Sequence, residues 1–271
     1  MCNNLIIYKL YSLNKKPSFL FRSYFCSLNG IMNRIFLAFA FALLAIIGNG
    51  QQKSDKPIDL GGRANDHFIL QVSSDSWLEA PDSIGSRIKG FNRGLNIYFM
   101  LDKPFKSNKK FSIGAGIGIG SSHIFFSNMQ IGVGGTTQEL TFTATDSSAN
   151  FKKYKLATSY LEIPLEFRFS SKPDDPNKSL KFAIGLKGGL LVNAHTKGKD
   201  LESSGGDRLL NGVQKQSSKE YFNSSRLALT TRFNYGVWGL FGSYNLTPLF
   251  KSGVASQDIR LLQVGAVISG L

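Results

Sequence analysis

The chain has 271 residues, a formal net charge of +14, 28 glycines and 12% aromatic residues, against only 18% charged ones. A mean hydropathy of -0.08 excludes a polytopic helical membrane protein, and many glycines and aromatics with few charges suit sheets better than helices. The basic excess fits lipid phosphates, but no basic helix or recognised motif accompanies it, so no nucleic-acid partner is expected.

The first fifty residues read as export information rather than fold. Arg34 supplies a positive start, Ile35 to Ile47 an unbroken apolar run, and Gly48-Asn49-Gly50 small residues at a cleavage site. The expectation is a signal peptide over 32–50, cut after Gly50. The run is shorter than the ~20 residues a helical span requires. Residues 1–31 make little sense ahead of such a signal, and a start at Met32 would account for them as a mis-assigned upstream extension. Cys2 and Cys26, the only cysteines, fall in that segment. The expected mature chain therefore excludes a disulfide framework, a Cys nucleophile, a Cys-based zinc site and a lipidated N-terminal Cys. Residues 51–65 are expected to be a periplasmic linker.

From Asp66 onward, eight segments alternate with period two, the mark of strands with two different faces. Phe68, Leu70 and Val72 oppose Gln71, Ser73 and Asp75. Leu95, Ile97, Phe99 and Leu101 oppose Gly94, Asn96, Tyr98 and Met100. Phe111, Ile113, Ala115, Ile117 and Ile119 oppose Ser112 and the glycines 114, 116, 118 and 120. Leu161, Ile163, Leu165, Phe167 and Phe169 oppose Tyr160, Glu162, Pro164, Glu166 and Arg168. Leu180, Phe182, Ile184 and Leu186 oppose Lys181, Ala183, Gly185 and Lys187. Leu227, Leu229, Phe233 and Tyr235 oppose Arg226, Ala228, Thr230, Arg232 and Asn234. Trp238, Leu240, Tyr244 and Leu246 oppose Gly239, Ser243 and Asn245, with Phe241 out of place on the polar face. Leu262, Val264, Ala266 and Ile268 oppose Gln263, Gly265 and Ser269.

No amphipathic helix interrupts these segments. The pattern is all-β: an eight-stranded antiparallel up-and-down barrel over 66–271. Alternation alone leaves open which face is outside. Three features favour a transmembrane barrel with its apolar face in lipid. The polar face is rich in small residues, which suit a crowded lumen. The segments are long enough to cross a bilayer when tilted. Long connections at 79–89, 127–150 and 196–219 and a medium one at 249–257 alternate with short ones at 103–109, 170–179 and 235–237, as in outer-membrane barrels.

The stretch Tyr160-Leu161-Glu162-Ile163-Pro164 resembles the YLEIP signature of PorT-like outer-membrane β-barrel proteins of Gram-negative bacteria. Residues Leu240 to Lys251, with the strand from Ile259 to Gly270, are similar to that family's closing hairpin. The resemblance implies the cell outer membrane and, from the family's named member, an accessory role in protein secretion. Its end differs: many outer-membrane barrels finish on an aromatic residue, whereas Ser269-Gly270-Leu271 closes this sequence.

Little in the sequence carries chemistry. Gly114 to Gly120 is not a G-x-G-x-x-G loop and no helix pattern follows, so it reads as strand glycines. Glu162 and Glu166 stand four residues apart on one strand, about 13 Å by strand rise, too far for a carboxylate pair. They are expected instead in a lumenal charge network with Arg168, Lys181, Lys187 and Arg232, in which Lys187 lies beside Glu162 and Lys181 beside Glu166. His123 and His195 lie near the outer ends of strands with one strand between them, and Ser121 and Ser122 adjoin His123, without a third member to complete a catalytic set. Lys197, Lys199, Arg208, Lys215 and Lys219 make the third outer loop basic. No catalytic residue, metal or cofactor is expected. The expected partners are outer-membrane lipids and envelope or secretion proteins. The function expected is non-enzymatic; the alternatives are a lipid-modifying barrel enzyme and a secreted soluble barrel binding a small apolar ligand.

Overall fold

The computed structural model describes residues 67–135, 139–145, 149–203 and 205–270. The expected upstream segment, signal peptide and linker lie outside the described residues. The strands are β1 (Phe68–Leu78), β2 (Arg93–Pro104), β3 (Phe111–Phe126), β4 (Met129–Ile131), β5 (Phe142–Ala144), β6 (Asn150–Ser170), β7 (Leu180–Glu202), β8 (Arg208–Ser217), β9 (Ser225–Tyr235), β10 (Trp238–Asn245) and β11 (Arg260–Ser269). A four-residue helix, α1 (Asp82–Gly85), follows β1.

Eight strands close a barrel in the order β1, β2, β3, β6, β7, β9, β10, β11, each antiparallel to its neighbours, with β11 returning to β1. These are the eight alternating segments of the sequence. Closure pairs the main chain of every barrel strand on both sides and leaves no open edge. The sharpest connection is the hairpin in which Tyr235 pairs with Trp238. Gly236 adopts φ +59 there, and a side chain would run into the carbonyl of Asn177. Glycine at the first central position is what a two-residue II′ hairpin requires.

The apolar face is outside. Ile163 and Leu165 of β6 and Leu240 of β10 are 62%, 55% and 66% exposed, whereas Glu162, next to Ile163 on β6, is 0% exposed. A barrel with an apolar interior would show the reverse parity, so the soluble ligand-binding arrangement is not the one this chain adopts. At the short-turn end Phe105, Phe111, Phe167 and Phe169 pack together on the outer surface, joined on that rim by exposed Tyr235 and Trp238.

Two long connections differ from expectation. The 196–219 stretch is mostly sheet: β7 continues to Glu202 and pairs with β8, so a hairpin projects past the barrel rim. Its few apolar residues, Leu201, Leu209, Leu210 and Val213, follow no period of two, which hides the strands, while main-chain pairing merely prolongs β7. The 127–150 stretch contains the small β4–β5 hairpin.

This end also holds an apolar core that the strand pattern did not announce. Trp77, Ile124, Phe126, Tyr154, Leu156 and Leu261 point inward from barrel strands. Ile84, Met129, Ile131, Tyr221, Phe222, Leu249 and Phe250 cover them from the connections. Trp77 meets Phe126 and Phe250 edge-on, at 5.5 and 5.8 Å between ring centroids. Lower in the lumen Phe241 joins Ile69, Tyr98, Met100 and Val267 in a second apolar layer, which explains its place on the polar face.

Candidate functional site

Below the first layer and alongside the second, the lumen is charged. Glu162 of β6 is the centre of the upper cluster. Arg226 donates to its Oε1 through Nε at 2.8 Å and through Nη2. Lys187 Nζ lies 3.3 Å from Oε2, and the Tyr98 hydroxyl donates to that same oxygen at 2.5 Å. Lys187 also donates to the Tyr98 hydroxyl at 3.1 Å. The Arg226 guanidinium lies over the Tyr160 ring, 4.0 Å from its centroid. All five side chains are buried.

Four residues further along β6, Glu166 accepts from Arg168 Nε at 2.8 Å and Arg232 Nη2 at 2.9 Å. Arg168 Nη1 also contacts Asp102 at 3.4 Å, and Ser112 donates to the same Asp102 oxygen at 2.7 Å. On the opposite wall Asp75 accepts from Ser73 at 2.5 Å and from Gln263 at 3.2 Å.

Glycines make the room. Across the sheet Glu162 is flanked by Gly118 and Gly189, and Glu166 by Gly114 and Gly185. A Cβ on Gly114 would strike the Arg168 guanidinium, and one on Gly120 the Glu162 carboxylate. The run Gly114 to Gly120 is thus space reserved for neighbouring side chains rather than a nucleotide loop.

Of the expected lumenal residues, Glu162, Glu166, Arg168, Lys187 and Arg232 meet in ion pairs. Lys181 does not stand beside Glu166. The register sets it opposite Ser170, while Glu166 lies opposite Gly185, four positions further along β7. Lys181 sits half-buried at the short-turn mouth with Asn234 and Ser170, and Arg168 and Arg232 take the glutamate. Arg226, Tyr98, Asp102 and Asp75 belong to the site as well. Their inward parity was readable; their shared height in the barrel was not.

Glu162 and Glu166 are each neutralised by at least two cations, which leaves neither as an accessible base. Ser122 is inward and buried, whereas its neighbour His123 belongs to the other face of β3. His123 and His195 lie in one cross-strand row with Ala157 between them, as expected. Among the described residues no group of three or more His, Cys, Asp or Glu could hold a metal. The spaces at the short-turn mouth by the lower cluster and beneath the apolar cap are each about 10 Å³, roughly one water.

A family model described as outer membrane protein beta-barrel domain matches residues 49–252. The chain belongs to this family. The outer-membrane barrel is similar to solved structures of Ail, the attachment invasion locus protein of Yersinia pestis, alone and in complex with the heparin analogue sucrose octasulfate. The identities are 13% and 12%, and in both cases the match covers 74% of this chain and 95% of that chain with a TM-score of 0.31. No curated protein matches it. In the outer membrane the exposed apolar band faces lipid. The short turns of the barrel lie on the periplasmic side and the β7–β8 hairpin and apolar cap on the extracellular side.

Proposed function

We propose that this barrel is a closed, non-enzymatic accessory of envelope transport, of the PorT-like kind that Tyr160 to Pro164 resembles, delivered by a signal peptide over 32–50. The observation that carries the reading is the lumen. Two charge clusters and two apolar layers occupy it, and both inward glutamates are spent on ion pairs. That leaves the extracellular cap and the periplasmic rim as the surfaces that meet envelope or secretion proteins. The rival reading, a lipid-modifying enzyme, needs a nucleophile and base within hydrogen-bond reach. Ser122 and His123 belong to opposite faces of one strand, which argues against that pair.

The test is a deletion strain alongside the purified barrel. Loss of the gene is expected to leave exported cargo in the periplasm, and the purified barrel in vesicles is expected neither to hydrolyse nor to transfer acyl chains. Normal secretion in the deletion strain, or acyl chemistry abolished by His123→Ala, would overturn the proposal.

A further inference from the structure

Beyond the apolar band, the outward face of one side of the barrel turns basic. Successive register pairs join Arg93, His123, Ala157, His195 and Ser217 in one row across β2, β3, β6, β7 and β8. Two residues further out, Phe125, Lys155, Lys197 and Lys215 form the next row. Lys153 pairs with Lys199 beyond that. Three lysines thus stand directly cross-strand from one another.

Directly opposed side chains have Cβ atoms about 4.5–5.5 Å apart, and like charges at that spacing destabilise a sheet. Among the described residues no carboxylate pairs with Arg93, Lys155, Lys197 or Lys215; Lys199 has Asp200 at 3.8 Å. Burial, and after it the neighbouring cations, hold the Lys155 ammonium and the His195 imidazolium below their ordinary values. A row of mutually repelling cations calls for a multivalent anion.

Its height says which anion. On β2 the outward residues Leu95, Ile97, Phe99 and Leu101 are bracketed by Arg93 and Lys103. Ten residues of tilted strand span about 25 Å vertically, the height of the apolar band of such barrels. Arg93 therefore stands at the outer headgroup level. β6 and β7 run to 21 and 23 residues, well past the ~10 that cross the hydrocarbon, and carry their lysines on that excess. Phe125 lies within cation–π range of both Arg93 and Lys155, at 5.8 Å each, so aromatic and basic side chains share this rim.

We propose that Arg93, Lys155, Lys197 and Lys215 form a docking ladder for phosphate-bearing glycolipid headgroups of the outer leaflet. The phosphates bridge adjacent cations and relieve their repulsion. This inference needs only the outer-membrane location, so its failure leaves the accessory role standing.

The experiment uses the barrel refolded into phosphatidylcholine vesicles with and without diphosphoryl lipid A, with urea unfolding midpoints as the readout. Heat-modifiable gel migration confirms folding of every variant. Lipid A is expected to raise the wild-type midpoint, and the gain is expected to shrink in high salt. The triple variant Lys155→Gln, Lys197→Gln, Lys215→Gln is expected to lose most of the gain. The corresponding arginine triple keeps it, and so does a control triple on the periplasmic turns, Lys106→Gln, Lys172→Gln, Lys178→Gln. Inorganic phosphate at equal concentration is expected to give no gain. A full gain in the glutamine triple, an equal loss in the control, or an equal gain from free phosphate would overturn the proposal. Should the glutamine triple fail to fold, the single variant Lys197→Gln replaces it, with a partial loss of the gain expected and an unchanged gain counting against the ladder.

Discussion

Arg226 reaches Glu162 across an intervening strand: Gly189 of β7 pairs with both, and a methyl group there would sit 3.1 Å from Cγ of Arg226. The residue between the members of the ion pair has no side chain, and a methyl group there would crowd both of them. Charges taken out of water are costly, and the cost is offset here by charge-assisted hydrogen bonds from three donors to one carboxylate.

The first prediction follows from that dependence. Lys187→Met should destabilise the barrel by about 3–5 kcal/mol, since it removes one partner from a buried charge cluster. Lys181→Met, at the half-exposed mouth, should cost much less. Urea unfolding in vesicles compares the two, and equal costs would contradict the assignment of Lys187 to the Glu162 cluster.

A second prediction concerns the reserved space. Gly114→Val should displace the Arg168 guanidinium and cost about 1–3 kcal/mol through overpacking. Gly253→Ala, in an outer connection with open space around it but a φ of +78, should cost less, through backbone strain alone. The ordering of the two unfolding midpoints decides.

On the lipid face, Ile184→Lys should destabilise by about 2–4 kcal/mol if the site lies near the bilayer midplane. Ile184 is exposed, so a water-soluble barrel would tolerate the same change. Vesicle refolding yields and unfolding midpoints both report on it.

A fourth prediction is electrical. With its lumen filled at successive levels, purified monomer in planar bilayers should show no stable, large single-channel conductance. Steady open-channel currents from the wild type would contradict the closed lumen.

The last prediction concerns processing. Mass spectrometry of the protein recovered from outer membranes should place the mature N-terminus at Gln51. A mature chain still carrying Ile35 to Ile47 would mean that the segment is retained as an anchor.

The eight strands and their faces were legible because segments such as Leu161 to Phe169 alternate cleanly. Other features were not, for specific reasons. Ile69 lies between Phe68 and Leu70, and Val267 between Ala266 and Ile268, so their inward apolar side chains merge into continuous runs. On the outer half of β6 the parity is inverted, with Lys153 and Lys155 outward and Tyr154 and Leu156 inward. From Thr196 on, β7 is polar inward as well as outward, so the apolar-out alternation of the lower halves does not carry through. Lys181 was paired with Glu166 because periodicity fixes a face but not a register across the 171–179 connection. Arg226 carried the right parity, yet its partner lies two strands away, and only closure sets them at one height.

The extracellular apolar core draws Trp77 from the first barrel strand, Phe126 and Tyr154 from the middle of the chain, and Leu261 from the last. No hairpin contains enough of it to form alone, so it condenses only after the first and last strands have met. The chain's two tryptophans divide this history between them, for Trp238 lies at the lipid-facing periplasmic rim and Trp77 inside the core. In a refolding experiment, Trp238 becomes a clock for insertion and Trp77 a clock for sealing, and the second starts when the cylinder shuts.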